Sequence, residues 1–187
     1  MGSFTCRSLT DTEYKQIISL IRNGYSDHHP NPQVATILVL EANLGCRIGD
    51  IIKLQTDSFV CDGGIWKLNI VEEKTGKKRC FIVPKEVKVF IDKWIEVSNH
   101  STGRLFSISS QAVWKALRQV TDYLGLKDIS SHSFRKYASQ NLYERTGHDI
   151  MAVCQFLQHS SPDITARYIR RSSEQLENAI SKSVSIV

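Results

Sequence analysis

Residues 131–170 read SHSFRKYASQNLYERTGHDIMAVCQFLQHSSPDITARYIR, and three consecutive helices can be read from this stretch. Ser131 opens a helix that runs to about Arg145, with Gly147 after it. Asp149 starts a shorter one reaching Gln158, and Ser161-Pro162 opens a third that carries Tyr168. His132 and Arg135 stand three residues apart, so on a helix they project from one face about a turn apart, and one phosphate can contact both. His159 ends the second helix, and Tyr168 follows nine residues later. A tight joint between two short helices brings such a pair into one pocket.

Upstream the signals are also mainly helical. Thr10 and Glu13 have capping-box spacing, and Tyr14, Ile17, Ile18 and Ile21 then fall on one helical face before Asn23-Gly24 ends it. Asn31 and Pro32 open a strongly apolar helix through QVATILVLEAN, interrupted at Gly45 just before Arg47. From Ile65 to Val83 the period changes to two, with Trp66, Leu68 and Ile70 on one strand, Phe81 and Val83 on another and EEKTGKK between them. Helical periodicity returns over 85–98, with Val87, Phe90, Ile91, Trp94 and Ile95, and over 110–124, with Val113, Trp114, Leu117, Val120 and Leu124 before Gly125. The pattern predicts a mainly α protein with a small antiparallel β-hairpin or sheet, an α+β class, and SSEQLENAISKSV as a separate terminal helix. Neither a repeat nor a composition shift marks a second domain.

Composition bounds the function without naming it. The 187 residues are 41% hydrophobic, enough for one substantial core. A net charge of +5 and a pI near 9.0 suit an anionic partner, although a basic balance alone points only weakly to nucleic acid. Cys6, Cys46, Cys61, Cys80 and Cys154 are odd in number, scattered and never in a C-x-x-C pair, which signals neither a disulfide framework nor a zinc cage and fits a reducing cytoplasm. His28 and His29 precede Pro30 in a loop without a partner cluster, so no metal is expected. No apolar run approaches the roughly 18 to 20 residues of a membrane span, and no signal peptide is evident.

Two boxes upstream join three within the opening stretch to complete the pattern. LGCRIGD contains Arg47, with Asp50 three residues on, where a carboxylate can orient a guanidinium. KTGKKR contains Lys74 in the hairpin connection, followed by Lys77, Lys78 and Arg79. HSFR, LQHSS and TARYIR supply His132, Arg135, His159 and Tyr168. Each box alone is unspecific, since a lone surface tyrosine, a helix-capping histidine or a solvated basic turn is common. In this order and at these separations, Arg47, Lys74, His132, Arg135, His159 and Tyr168 resemble the catalytic domain of the tyrosine recombinases, the phage-integrase type, from about Leu9 to Arg171. Two departures are Cys46, where the family often has an apolar residue such as leucine, and Gln158, where it usually has glycine. Neither bears the chemistry.

The resemblance implies a site-specific recombinase that cleaves and rejoins DNA through a 3′-phosphotyrosyl link to Tyr168, without metal, ATP or another cofactor. Phosphodiester cleavage builds charge on nonbridging oxygens, which the paired guanidiniums of Arg47 and Arg135 suit. A phenol is a poor nucleophile at neutral pH until its proton is accepted locally, which makes His132 the candidate base. Lys74 is the implied general acid for the leaving 5′-oxygen, with Lys77 close enough in sequence to leave the register open. His159 is expected on the scissile phosphate, and Lys77, Lys78 and Arg79 on the DNA backbone. Double-stranded DNA and a homotetramer assembled on it are the implied partners. A thiol-nucleophile role for Cys46 lacks an oriented Cys-His-acid set.

Three units are expected: a tail or linker over 1–8, the catalytic domain over 9–171, and a terminal helix or tail over 172–187 that is a candidate for exchange between subunits through Leu176, Ala179 and Ile180. The resemblance also implies a helical DNA-clamping domain ahead of the catalytic one, which the residues before the first helix do not supply. A fragment or minimal form, with weak and salt-sensitive DNA binding, is expected on that ground. The alternative from another class is a catalytically silent DNA-binding or accessory module of the same fold. The presence of all six groups argues for activity.

Overall fold

Thr10 closes the first helix as its spacing with Glu13 requires. The Glu13 amide donates to Thr10 Oγ1 at 3.2 Å, and the Thr10 amide donates to Glu13 Oε2 at 2.8 Å. The structure, a computed structural model, describes residues 6–74, 76–98, 103–166, 168 and 169. Helix α1 (Asp11–Asn23) buries Ile17, Ile18 and Ile21 against α2 (Pro32–Leu44). Asn31 caps α2 by accepting the Val34 amide at 3.1 Å, with Pro32 in the first turn, where its missing N–H does no harm. Val34, Ala35, Ile37, Leu38, Leu40 and Leu44 are all buried, so α2 is apolar all round and forms the axis of the core. It packs against α1, α6 and α4, the last two defined below.

Gly45 ends α2 in the left-handed region at φ +56°. A Cβ there would lie 2.3 Å from Phe156 Cε1, so the turn is closed by contact with a ring from a distant helix. Arg47 then stands at the cap of the short helix α3 (Ile48–Ile51).

A 3-10 turn (Thr56–Ser58) leads into β1 (Phe59–Asp62), followed by β2 (Ile65–Val71) and β3 (Lys78–Ile82), antiparallel in the order β1-β2-β3. The sequence predicts β2 and β3; β1 is an addition. Its four residues are too few for a periodic signal, yet Asp62-Gly63-Gly64 is a hairpin turn formula. Phe59, Leu68 and Phe81 lie opposite one another across the three strands and pack inward. The connection between β2 and β3 is closed by the Glu72 amide on the Lys77 carbonyl at 2.9 Å, and it holds Lys74 at the tip.

Helices α4 (Lys85–Ser98), α5 (Ser110–Tyr123), α6 (Ser131–Arg145), α7 (Ile150–Leu157) and α8 (Pro162–Ala166) complete the fold. Ser109 and Asp149 cap α5 and α7 with their side chains, which is why the predicted boundaries of these helices hold within a residue or two. One prediction is corrected: Tyr168 is not carried within the third helix of the opening stretch. Helix α8 is described to Ala166, and Tyr168 lies in a turn beyond it, its amide on the Thr165 carbonyl at 2.8 Å. The predicted terminal helix over 172–187 lies outside the described residues. Among the described residues, no helix is long and apolar enough to cross a membrane.

Candidate active site

Helix ends and one hairpin tip converge on the C-terminal end of α2. A cleft of about 560 Å³ is lined by Arg47 from the α2–α3 joint, Lys74 from the β2–β3 tip, His132 from α6, His159 from the end of α7 and Tyr168 from beyond α8. Lys77 lines it too. Arg135 does not. One turn along α6 from His132, it lies wholly buried, with Nη1 donating to the Gly45 carbonyl and Nη2 to the Leu157 carbonyl at 3.0 Å. Two of its five N–H groups are thereby engaged, and among the described residues Nε has no partner.

His132 Nε2 stands 2.7 Å from the Tyr168 hydroxyl. The His159 ring packs beside Tyr168, with centroids 4.8 Å apart, and Lys136 Nζ lies 5.9 Å above the tyrosine ring. Burial, then the charges of Arg135, Lys136, Arg47 and Lys74, push the His132 pKa down to about 4. Burial, then Arg135 and Arg47, push His159 down to about 4 as well, with Glu72 opposing. Both imidazoles are therefore neutral at pH 7, and His132 Nε2 is available to accept the phenolic proton.

The carboxylate on Arg47 is Glu72, at 2.6 Å from Nη1 and itself 1% exposed. Asp50, predicted to orient that guanidinium, instead accepts the Glu73 amide on Oδ1 at 2.9 Å. It holds the backbone next to Lys74 and so supports the hairpin tip. A second correction concerns Arg79, predicted on the DNA-facing surface with Lys77 and Lys78. Those lysines are exposed, but Arg79 is 1% exposed. Its guanidinium donates to the carbonyls of Leu44 (3.2 Å), Gly45 (3.4 Å) and Phe156, lies 3.5 Å from Glu72 Oε1, and packs 4.5 Å from the Phe81 ring centre. Burial of a cation is tolerated here because carbonyl dipoles and a carboxylate surround it.

Strand parity explains both errors. Trp66, Leu68 and Ile70 point inward, and the next residue of that parity is Glu72. Ile70 is paired with Arg79, which shares its face with Phe81. Extending the period by one step in each strand finds both charged residues on the buried side, whereas reading EEKTGKKR as a solvated tip does not.

Three further groups complete the surroundings. Cys46 is fully buried, and its thiol is pushed up to about 11, mainly by burial, which suits packing and not nucleophilic attack. Glu41 of α2 is buried with neither carboxyl oxygen bonded among the described residues, and burial raises its pKa well above the usual carboxylate range against the pull of Arg135. Gln158, at the position where the resembled family usually has glycine, is left-handed at φ 51°, ψ 41°. That conformation favours glycine and explains the family preference.

The family model described as the phage integrase family matches residues 7–175. A probable integrase/recombinase, YoeC of Bacillus subtilis strain 168, is 29% identical over 139 residues, covering 71% of this chain and 75% of that protein. Tyrosine recombinase XerA of Thermococcus kodakarensis is 24% identical over 186 residues, covering 95% of this chain but 62% of that one. Among solved structures, the XerH site-specific recombinase bound to palindromic difH substrate in a post-cleavage complex superposes with a TM-score of 0.71 at 17% identity, over 93% of this chain and 52% of that one. The chain thus spans about half to three quarters of these three proteins, and its mostly helical fold with a small three-stranded antiparallel sheet superposes on that of XerH. With the family model covering nearly its whole length, the chain belongs to the phage integrase family.

Proposed function

We propose that this chain breaks and rejoins DNA strands as the catalytic domain of a site-specific tyrosine recombinase. The observation that carries the reading is the 2.7 Å contact between the Tyr168 hydroxyl and a neutral His132, inside a cleft lined by Arg47, Lys74 and His159. The Tyr168 oxygen attacks the scissile phosphorus as its proton passes to His132 Nε2. Arg47 stabilises the charge that develops on the nonbridging oxygens, and Arg135, buried behind the cleft wall, adds its positive charge from beneath. The bond from phosphorus to the 5′-oxygen breaks, and Lys74 protonates that oxygen. The products are a 3′-phosphotyrosyl link and a free 5′-hydroxyl. The phosphoester is conserved, so the reverse attack reseals the strand without ATP or metal.

Attack by a 5′-hydroxyl of a partner duplex exchanges strands, and a homotetramer on double-stranded DNA supplies that geometry. XerH, of similar fold, is captured on its DNA after cleavage, which supports DNA as the partner here. The exposed Lys77 and Lys78 suit contacts to the phosphate backbone.

Attack by the original hydroxyl relaxes supercoiled DNA, a readout that needs no known target sequence. The full chain with negatively supercoiled plasmid and EDTA is expected to give relaxed topoisomers. Under substrate-limited conditions the rate reports the free enzyme. Because His132 must be neutral to accept a proton, the rate holds from neutral pH down to about pH 5 and halves near 4. A midpoint at the ordinary histidine value of 6.5, or no relaxation at any pH, contradicts the assignment.

A further inference from the structure

His159 is held from three sides, and one holder has no part in the chemistry described above. Its amide donates to the Cys154 carbonyl at 3.1 Å, and its carbonyl lies 3.4 Å from Cys154 Sγ, so the backbone is anchored to the last turn of α7. The ring nitrogen Nδ1 lies 3.0 Å from Oγ1 of Thr165, a residue with no exposed surface. The Thr165 carbonyl in turn accepts the Tyr168 amide at 2.8 Å. One residue of α8 therefore touches the histidine through its side chain and the nucleophile through its backbone.

The direction of the Thr165–His159 bond follows from counting protons. A neutral imidazole carries one N–H, and a threonine hydroxyl carries one O–H. If Nδ1 held the proton and donated to Oγ1, the buried Thr165 proton would need another acceptor, and among the described residues Oγ1 has none. Leaving a buried hydroxyl proton unpaired is unfavourable. If Oγ1 donates to Nδ1, both groups are satisfied and the ring proton is forced onto Nε2, which makes no hydrogen bond among the described residues. His159 lines the cleft, where a donor is what a phosphate oxygen needs. His132 requires the opposite tautomer, with Nε2 unprotonated to accept from Tyr168. Two neutral histidines flanking one tyrosine thus have to hold their protons on different nitrogens.

We propose that Thr165 is a positioning residue that fixes His159 as the Nε2–H tautomer, turning that ring into a hydrogen-bond donor toward a phosphate oxygen while His132 remains an acceptor. The phosphate half of this statement rests on the reading of the cleft given above; the tautomer half does not. A threonine three residues before the nucleophile thereby sets the chemical identity of a histidine six residues before itself.

The test separates the two halves. Two-bond ¹H–¹⁵N correlation spectra of the full chain without DNA at pH 7, with His159→Gln identifying the signal, are expected to show Nε2–H for His159. Thr165→Ser keeps the hydroxyl and keeps that tautomer. Thr165→Val is nearly isosteric and lacks the donor, so the Nδ1–H form gains population, while thermal unfolding shows that the fold persists. Plasmid relaxation by Thr165→Val falls on the order of 10- to 100-fold, as is usual when the partner that orients a functional imidazole is removed, and Thr165→Ser stays close to wild type. An Nδ1–H signal in the wild type, or an unchanged Nε2–H signal in Thr165→Val, overturns the proposal. An altered tautomer with unaltered relaxation overturns its phosphate half. If the wild type does not relax plasmid but the tautomer shifts as described, Thr165's hold on His159 stands and the recombinase reading falls.

Discussion

Replacing Arg135 by alanine is expected to lower strand cleavage by about 100- to 1000-fold and to destabilise the fold at the same time. The two effects have separate causes. Removing a guanidinium whose charge reaches His132 and His159 from behind the cleft accounts for the first. The second arises because the Arg135 guanidinium joins the Gly45 carbonyl at the end of α2 to the Leu157 carbonyl at the end of α7. Truncation leaves the buried Leu157 carbonyl without this donor, at about 1–3 kcal/mol, leaves the Gly45 carbonyl to Arg79 alone, and adds a cavity. Relief of desolvation and repulsion offsets part of this, since burial, then Arg79 and Arg47, lower the Arg135 pKa, so a net loss of about 2–4 kcal/mol is expected. Arg135→Lys separates the two effects. It keeps a charge and one contact but loses the planar fork, so urea unfolding shows a smaller loss of stability while plasmid relaxation stays strongly impaired. Relaxation by Arg135→Lys at the wild-type rate would show that the guanidinium serves the fold alone.

Gly45→Ala is expected to be nearly as damaging, although it adds a single methyl group. At φ +56° the alanine costs about 1–2 kcal/mol for the left-handed backbone, and the Cβ at 2.3 Å from Phe156 Cε1 forces an overpacking cost of about 1–3 kcal/mol. The Gly45 carbonyl accepts from both Arg79 and Arg135, so any shift that relieves the clash moves the floor of the cleft. Cleavage should therefore fall by more than the lost stability explains at temperatures where the variant is still folded. Adding Phe156→Leu removes the ring that the methyl meets, and the double variant should be less destabilised than the two single losses sum to. Additive losses would place the origin in backbone conformation alone.

Most of the helical frame is legible in the sequence because its ends carry local chemistry. Thr10 with Glu13, Asn31 with Pro32, and Asp149 form their capping bonds where the residue types predict them. What stays illegible depends on contacts across the fold. Asp50 is three residues from Arg47 in the chain, yet it is Glu72, 25 residues away, that reaches the guanidinium, because β2 turns its inward face toward the α2–α3 joint. Arg79 belongs to a basic run whose composition suggests solvent, and only its pairing opposite Ile70 places it inside. Thr165 gives no signal at all in the sequence, since its importance comes from where the α7–α8 turn sets it against His159. The grouping of His132 with Tyr168 follows from the resemblance, and their 2.7 Å contact needs the structure.

The central claim is that Tyr168 is the nucleophile. The direct measurement is incubation of the full chain with an end-labelled suicide duplex, nicked near a suspected crossover site, followed by denaturing electrophoresis and peptide mapping, with Tyr168→Phe in parallel. The account predicts a covalent protein–DNA adduct that maps to the peptide containing Tyr168 and disappears in the phenylalanine variant. An adduct that persists in Tyr168→Phe, or that maps to another residue, would contradict it.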